Sequence, residues 1–273
     1  MSFPSFHTPQ VMAVINVTAD SFYSLSRMQS IEELEARICQ VVNEGATIID
    51  IGGYSSRPGA DDIPLEQEWE RVDLGVGAVR RLAPHIAISV DTFRADIVER
   101  TVAKYGKIIV NDITAGEGDK DMVAVVARLD LPYIAMHMRG TPQTMQSQTE
   151  YTDVVTEVVD YLAKRAAELE AAGVRRENII LDPGFGFAKS IEQNYALLAG
   201  LKSLTQIGYP VLAGLSRKSM IYRVLNTTAE DSLIGTVALC WEALRQGATL
   251  LRVHDVREAV QIVTIYDKGF RGL

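Results

Sequence analysis

Cysteine is scarce in this chain: Cys39 and Cys240 are the whole complement, and they lie far apart in the sequence. With no Cys-x-x-Cys pair and no even framework, a disulfide scaffold and a zinc cluster are both disfavoured, and two buried thiols in a reducing compartment are expected. Positive charge is also short. Lys plus Arg is 27 against 35 Asp plus Glu, a formal net charge of −8. That argues against general nucleic-acid or anionic-membrane binding, which needs a basic face. No apolar run approaches the roughly 18 residues of a membrane span. The opening MSFPSFHTPQ has neither a basic n-region nor an apolar h-region, so no secretory signal is expected. The expectation is a cytoplasmic protein with no nucleic-acid and no membrane partner.

What is present is an ordinary globular balance, 47% hydrophobic and 23% charged residues. A length of 273 residues allows one large or two medium domains, and an α/β barrel of roughly 250 residues would use nearly all of it. Short Ile- and Val-rich runs alternate with longer helical stretches. The runs are 11–15, 47–51, 86–90, 108–110, 133–136, 179–181, 210–215 and 250–253. Continuous apolar runs of this length suit strands buried on both faces of a parallel sheet. Between them, 31–44 places Ile31, Leu34, Ile38, Val41 and Val42 on one stripe. The stretch 153–172 does the same with Val154, Val155, Val158, Leu162, Ala166 and Leu169, and 233–246 behaves alike. Each stops at a glycine, Gly45, Gly173 or Gly247, which suggests one repeated βα unit. Eight such strands can form a doubly wound sheet or a closed barrel. Their even spacing favours a single-domain (β/α)₈ TIM barrel over 1–273, with 1–10 as a lead-in.

Polar residues gather where these strands end. The ends carry Asn16, Ser55-Ser56-Arg57, Asp91, Asn111-Asp112, His137 with Arg139, Asp182, Ser216-Arg217-Lys218-Ser219, and Arg252 with His254 and Asp255. In a barrel, all of these ends meet at one mouth. Asp91, Asn111 and Asp182 offer the carboxylate and amide groups that could read the edge of a flat, nitrogen-rich heterocycle. Arg57, Arg217, Lys218, Arg252 and His254, gathered against a negative net charge, imply an anionic ligand, most simply a phosphate. Asn16 could give a neutral oxygen to Mg²⁺, which shares its shell with water and phosphate.

Plainer roles stand beside these. Asp91 would also serve as a helix cap, and Asp182, before Pro183-Gly184, as an Asx-type turn. Arg252 inside an apolar strand has few such explanations, because an unpaired buried guanidinium is costly. His254 would serve as a hydrogen-bonded core histidine, and alternation leaves His137 free to point either way. His7 and His85 read as surface residues. Phe185 and Phe187 suit packing or ligand stacking equally. Gly184-Phe185-Gly186-Phe187-Ala188-Lys189 is not a dinucleotide fingerprint, Arg217-Lys218-Ser219 lacks P-loop glycines, and no Gly-x-Ser-x-Gly elbow occurs.

At these residues the sequence resembles the dihydropteroate synthase family of the bacterial folate pathway. The resemblance runs almost end to end: NVTADSF at 16–22, DIGGYSSRPG at 50–59, SVDT at 89–92, VNDI at 110–113, MHMRG at 136–140, LDPGFGF at 181–187, SRKS at 216–219 and RVHD at 252–255. It implies a (β/α)₈ barrel that joins a pterin pyrophosphate to p-aminobenzoate by an SN1-like displacement. Carried over by motif, Asp91, Asn111, Asp182, Lys218 and Arg252 correspond to the pterin-binding set. Asn16 corresponds to the Mg²⁺ ligand and, with Ser56, Arg57, Arg252 and His254, to the pyrophosphate side. Phe187, Arg217 and Ser219 correspond to the p-aminobenzoate side. Asp20, Arg57, Lys218 and Arg252 are the implied catalytic groups, and a homodimer is implied. Two loops depart from the family pattern: Ala19 and 23–26 replace its Pro and its Ser-Asp-Gly-Gly, leaving Ser24 where a second acid is usual, and Tyr54 and Ser56 replace a Glu and a Thr. A pterin-binding methyltransferase and a non-catalytic pterin-binding protein are the competing readings.

Overall fold

The computed structural model describes residues 3–17, 27–55 and 62–270. Eight strands alternate with helices: β1 (Gln10–Asn16), α1 (Arg27–Asn43), β2 (Ile48–Gly52), α2 (Leu65–Leu82), β3 (Ala87–Asp91), α3 (Ala95–Tyr105), β4 (Ile109–Asp112), α4 (Met122–Leu129) and β5 (Tyr133–Met136). They continue with α5 (Val154–Ala171), β6 (Ile179–Asp182), α6 (Ile191–Ala199), α7 (Leu201–Thr205), β7 (Leu212–Ala213), α8 (Ser219–Tyr222), α9 (Leu233–Arg245), β8 (Leu250–Val253) and α10 (Val256–Gly269). All pairings are parallel, in the order β6-β5-β4-β3-β2-β1-β8-β7. A bridge between Leu181 and Val211 joins the two outer strands, with Leu181 N donating to Pro210 O at 2.9 Å. The sheet is therefore a barrel, not a doubly wound sheet.

The expected strands are all present, and several run one or two polar residues further, to Asn16, Asp91, Asp112 and Asp182. The ladder uses main-chain atoms, so a polar side chain does not end it. Strand seven is shorter than its apolar run. Pro210 has no N–H for a ladder, and Gly214 has no side chain to pack. The helix-ending glycines Gly45, Gly173 and Gly247 all adopt the left-handed backbone, φ +96°, +96° and +97°, which L side chains resist.

Alternation sorts each strand into an inner and an outer face. One residue per strand, Met12, Ile48, Ala87, Ile109, Ile134, Ile180, Leu212 and Leu250, forms a closed apolar layer inside the barrel. Phe6 plugs that layer from below, with Phe3 packed on it. The odd-parity residues, such as Ile49, Ile51, Val90, Val110, Ala135 and Leu251, face the helices in a separate outer core. The lead-in is thus the barrel floor. Phe6→Ala is expected to lower unfolding free energy by about 3 kcal/mol, read from urea denaturation, because the strands cannot collapse into the void.

The helices meet that outer core with the expected stripes. Leu34, Ile38 and Val41 of α1 are buried, as are Val154, Val158, Leu162, Ala166 and Leu169 of α5. Asp153 caps α5, accepting from Val155 N and Thr156 N at 3.0 and 3.2 Å. The cysteine expectation needs one correction. Cys240 is buried, but Cys39 is exposed, because Ile38 and Val41 already occupy the inward stripe of α1. His7 and His85 are exposed, as expected. Among the described residues no helix is long and apolar enough to cross a membrane.

Candidate active site

Two residues beyond five of the eight inner apolar positions the interior turns polar. Asp50 stands above Ile48, Ser89 above Ala87, Asn111 above Ile109, Asp182 above Ile180 and Arg252 above Leu250. These side chains bond across the barrel, not along the sheet. Arg252 Nε donates to Asp50 Oδ2 at 2.7 Å, and its NH2 nitrogen donates to Asp91 Oδ2 at 2.8 Å. Asn111 Nδ2 donates to the same Asp50 oxygen at 3.1 Å. Since β8 pairs with neither β2 nor β3, the guanidinium must span the interior. The other Asp50 oxygen and the Ser89 hydroxyl are buried with no hydrogen-bond partner among the described residues. They are an acceptor and a hydroxyl that a ligand can use.

Burial dominates the electrostatics. It pushes Asp91 up from its ordinary value, with the Arg252 charge opposing. It pushes Asp182 up as well, with Lys218 opposing. For Arg252, burial works downward, but Asp50 and Asp91 more than offset it, and the guanidinium is held above its ordinary value. Burial brings Lys218 down to about 8, with Asp182 opposing. The layer therefore holds one firm cation among carboxylates that prefer a donor-rich partner.

Asp91 does not cap α3; Ala95 N bonds instead to Asp119 Oδ2 at 2.8 Å. Asp182 does make its turn, accepting from Gly184 N at 2.7 Å. Gly184 is required there: its φ is +68°, and a Cβ would stand 2.0 Å from His137 O. Asn16 lies at the rim, where a Cβ on Gly52 would meet Asn16 Oδ1 at 3.3 Å and Asp91 Oδ2 at 3.9 Å. Phe185 is fully buried in the outer core, whereas Phe187 is only partly buried and stacks under Lys218, whose Nζ is 4.7 Å from the ring centroid. Lys218 Nζ also donates to Phe185 O.

Arg217 stands apart from the polar layer. Its fork grips Asp255 at 2.6 and 3.0 Å, and it reaches the carbonyls of Ala229 and Glu230 at 3.1 and 2.8 Å. Ser219 opens α8, a single turn. Asp20, Ser56 and Arg57, with Ala19 and Ser24, lie outside the described residues. Tyr54 packs edge-on to Phe93 at 5.1 Å, with the Arg94 guanidinium 5.6 Å from its ring. Together with Ile113, Met138 and Gln143 these residues line a cavity of about 690 Å³ at the β2–β5 side of the mouth.

His254 sits beside Ser216, its Nδ1 3.1 Å from the hydroxyl oxygen. Burial, then Arg252, holds its imidazole down to about 4. An unfolded histidine titrates near 6.5, so between those values the unfolded chain binds the extra proton. Stability from this group is present above pH 6.5 and lost as pH falls toward 4. The stability advantage of the parent over His254→Gln is expected to shrink across that window in urea titrations. A constant difference would remove the histidine from the linkage.

Asp50 and Lys189 escape a reading confined to strand ends, and the fold settles the direction of His137, which alternation left open. Asp50 lies mid-strand in Ile-Ile-Asp-Ile, and the cost of burying a charge, which singles out Arg252, also applies to it. His137 has outward parity and packs edge-on to Tyr161 at 5.0 Å. Burial holds its imidazole down to about 3. Lys189 is 5% exposed and donates to His137 and two carbonyls. No sequence pattern marks that burial.

A (β/α)₈ barrel whose mouth collects carboxylates, an amide and buried cations has the form of a ligand-binding barrel enzyme, and the family described as Pterin binding enzyme matches residues 12–254. The dihydropteroate synthase of Haemophilus influenzae is 43% identical over 258 residues, covering 94% of this chain and 93% of that protein. Among solved structures, the Yersinia pestis dihydropteroate synthase with a sulfonamide drug complex superposes with TM-score 0.89 at 35% identity, covering 97% of this chain and 95% of that one. The Xanthomonas albilineans enzyme with 4-aminobenzoic acid gives 0.86 at 37% identity, covering 96% and 93%. The chain belongs to the dihydropteroate synthase family of pterin-binding transferases.

Proposed function

We propose that this chain condenses 6-hydroxymethyl-7,8-dihydropterin pyrophosphate with p-aminobenzoate to give 7,8-dihydropteroate and pyrophosphate. The C–O bond to pyrophosphate breaks, a C–N bond to the aniline forms, and the aniline proton leaves to pyrophosphate or solvent. The observation that carries the reading is the Arg252 bridge between Asp50 and Asp91 inside the barrel, beside Asn111, Asp182 and Lys218. Carboxylate and amide acceptors on several strands suit the donors of a pterin edge. Fixed negative charge around the ring stabilises a pterin cation without reorganisation, which supports bond breaking before attack. Arg252 and Arg57 would hold the departing pyrophosphate, with Ser56 and His254 as hydrogen-bonding groups; held neutral, His254 donates one N–H. Phe187, Arg217 and Ser219 would frame the p-aminobenzoate side, Arg217 by holding the 229–230 segment. Asp20 would assist the cation from the first loop.

Mg²⁺ is the proposed cofactor. Among the described residues no cluster of three His, Cys, Asp or Glu could hold a metal. Asn16 Oδ1, at the rim near Asp91, fits an ion that takes one neutral protein oxygen and completes its shell with water and phosphate. Bound there, the ion would neutralise charge on the pyrophosphate. The exposed apolar side chains Val224, Leu225 and Ile234 around α8 and α9 support a homodimer, and the free thiols support the cytoplasm. Pyrophosphate release, measured with and without p-aminobenzoate, tests the activity. Release that depends on p-aminobenzoate and matches dihydropteroate formed is expected. Pterin binding without release would make the protein a binding module, and cleavage that cannot begin until p-aminobenzoate is bound would sink the dissociative order.

A further inference from the structure

We infer that Lys189 is a positioning residue for Lys218. Lys189 lies on the loop between β6 and α6 and is 5% exposed. An ammonium has three donors, and all three are used here: Nζ lies 3.0 Å from Gly184 O, 3.0 Å from Phe187 O and 3.1 Å from His137 Nδ1. With His137 held neutral, Nδ1 accepts and the ring proton sits on Nε2. No carboxylate pairs with Lys189 directly among the described residues, and burial brings the ammonium down to about 7, with Asp182 opposing. A buried cation held only by neutral acceptors is costly, and here it ties the loop to the end of β5.

What that tie fixes is the backbone between its two carbonyl anchors. Gly184 N is pinned to Asp182 Oδ1 and Gly186 N to Asn194 Oδ1, each at 2.7 Å. Between and beyond them, the Phe185 carbonyl accepts from Lys218 Nζ and the Phe187 ring lies beneath it. Those are the contacts that aim Lys218 into the polar layer. Without Lys189 the carbonyls of 184 and 187 lose their donor, the loop relaxes, and Lys218 loses its aim. Lys189 touches no ligand-facing group itself; it acts through the loop.

The inference rests on the reading that Lys218 binds the pterin, and a double-mutant cycle on the full-length chain separates the two. Lys189→Met is expected to raise KM for the pterin pyrophosphate about tenfold, and Lys189→Gln, which keeps two donors, less. Lys218→Met is expected to raise it about a hundredfold, and the double variant no further, because residues acting as a unit are non-additive. Multiplying effects, or a lowered urea midpoint with KM unchanged, would overturn the positioning role while leaving Lys218 in the site. Unchanged KM in Lys218→Met would overturn the site reading and this inference with it. If Lys189→Met does not fold, Lys189→Gln with Lys218→Met carries the same cycle.

Discussion

Arg252→Ala is expected to remove nearly all turnover and to cost about 3–5 kcal/mol of stability, because breaking a buried pair leaves uncompensated charge behind. Asp50 and Asp91 share this one guanidinium at 2.7 and 2.8 Å, so its loss leaves two carboxylates facing each other inside the barrel. One of them then takes a proton, and the variant loses further stability as pH rises and forces that proton off. Catalytically, a donor fixed where charge leaves is worth roughly 10²–10³ in rate. Pyrophosphate binding is expected to weaken more than p-aminobenzoate binding, which product-inhibition kinetics would read. Asp50→Asn combined with Arg252→Met should recover part of the stability and none of the activity. A single variant with parental stability and parental kcat/KM would refute the central role of the bridge.

Asp182→Ala is expected to abolish pterin binding, since a site built to accept heterocycle donors loses roughly 10⁴ when that hydrogen bonding is unmet. The variant also removes the acceptor for Gly184 N and so confounds recognition with loop geometry. Asp182→Asn separates the two: its amide oxygen can keep the turn, while its NH₂ points a donor where an acceptor is needed. Both variants are expected to lose pterin affinity in calorimetric titration, with Asp182→Asn keeping the parental urea midpoint more closely. Normal pterin affinity in Asp182→Asn would take the residue out of the site.

The barrel was legible because parallel strands buried on both faces cannot be disguised. Ile48, Ile109, Ile180 and Leu250 recur in runs bounded by helical stripes, and the stripes before β2, β6 and β8 each end at a glycine in a left-handed turn. Most of the candidate site was legible for the same reason: barrel strands deliver their C-terminal ends to one place, so the polar layer of Asp91, Asn111, Asp182 and Arg252 announces itself by position. Asp50 was missed although the sequence carries its signal, a charge mid-strand at the same parity as Arg252. His137 was ambiguous because its parity is fixed only when Met136 pairs with Asp182 and the imidazole is left on the helical side.

The sequence alone determines which residues can meet, because a period of two and a closed ring of eight strands leave few inner positions, and those positions carry the charges. Which of them pair is decided by the tertiary structure. That Arg252 reaches across to Asp50 and Asp91, that Arg217 turns to Asp255, and that Lys189 ends on two carbonyls and an imidazole follow from distances across the barrel and along its loops. Local spacing does not encode those distances, and a buried charge must take whatever partner the closed fold puts within its reach.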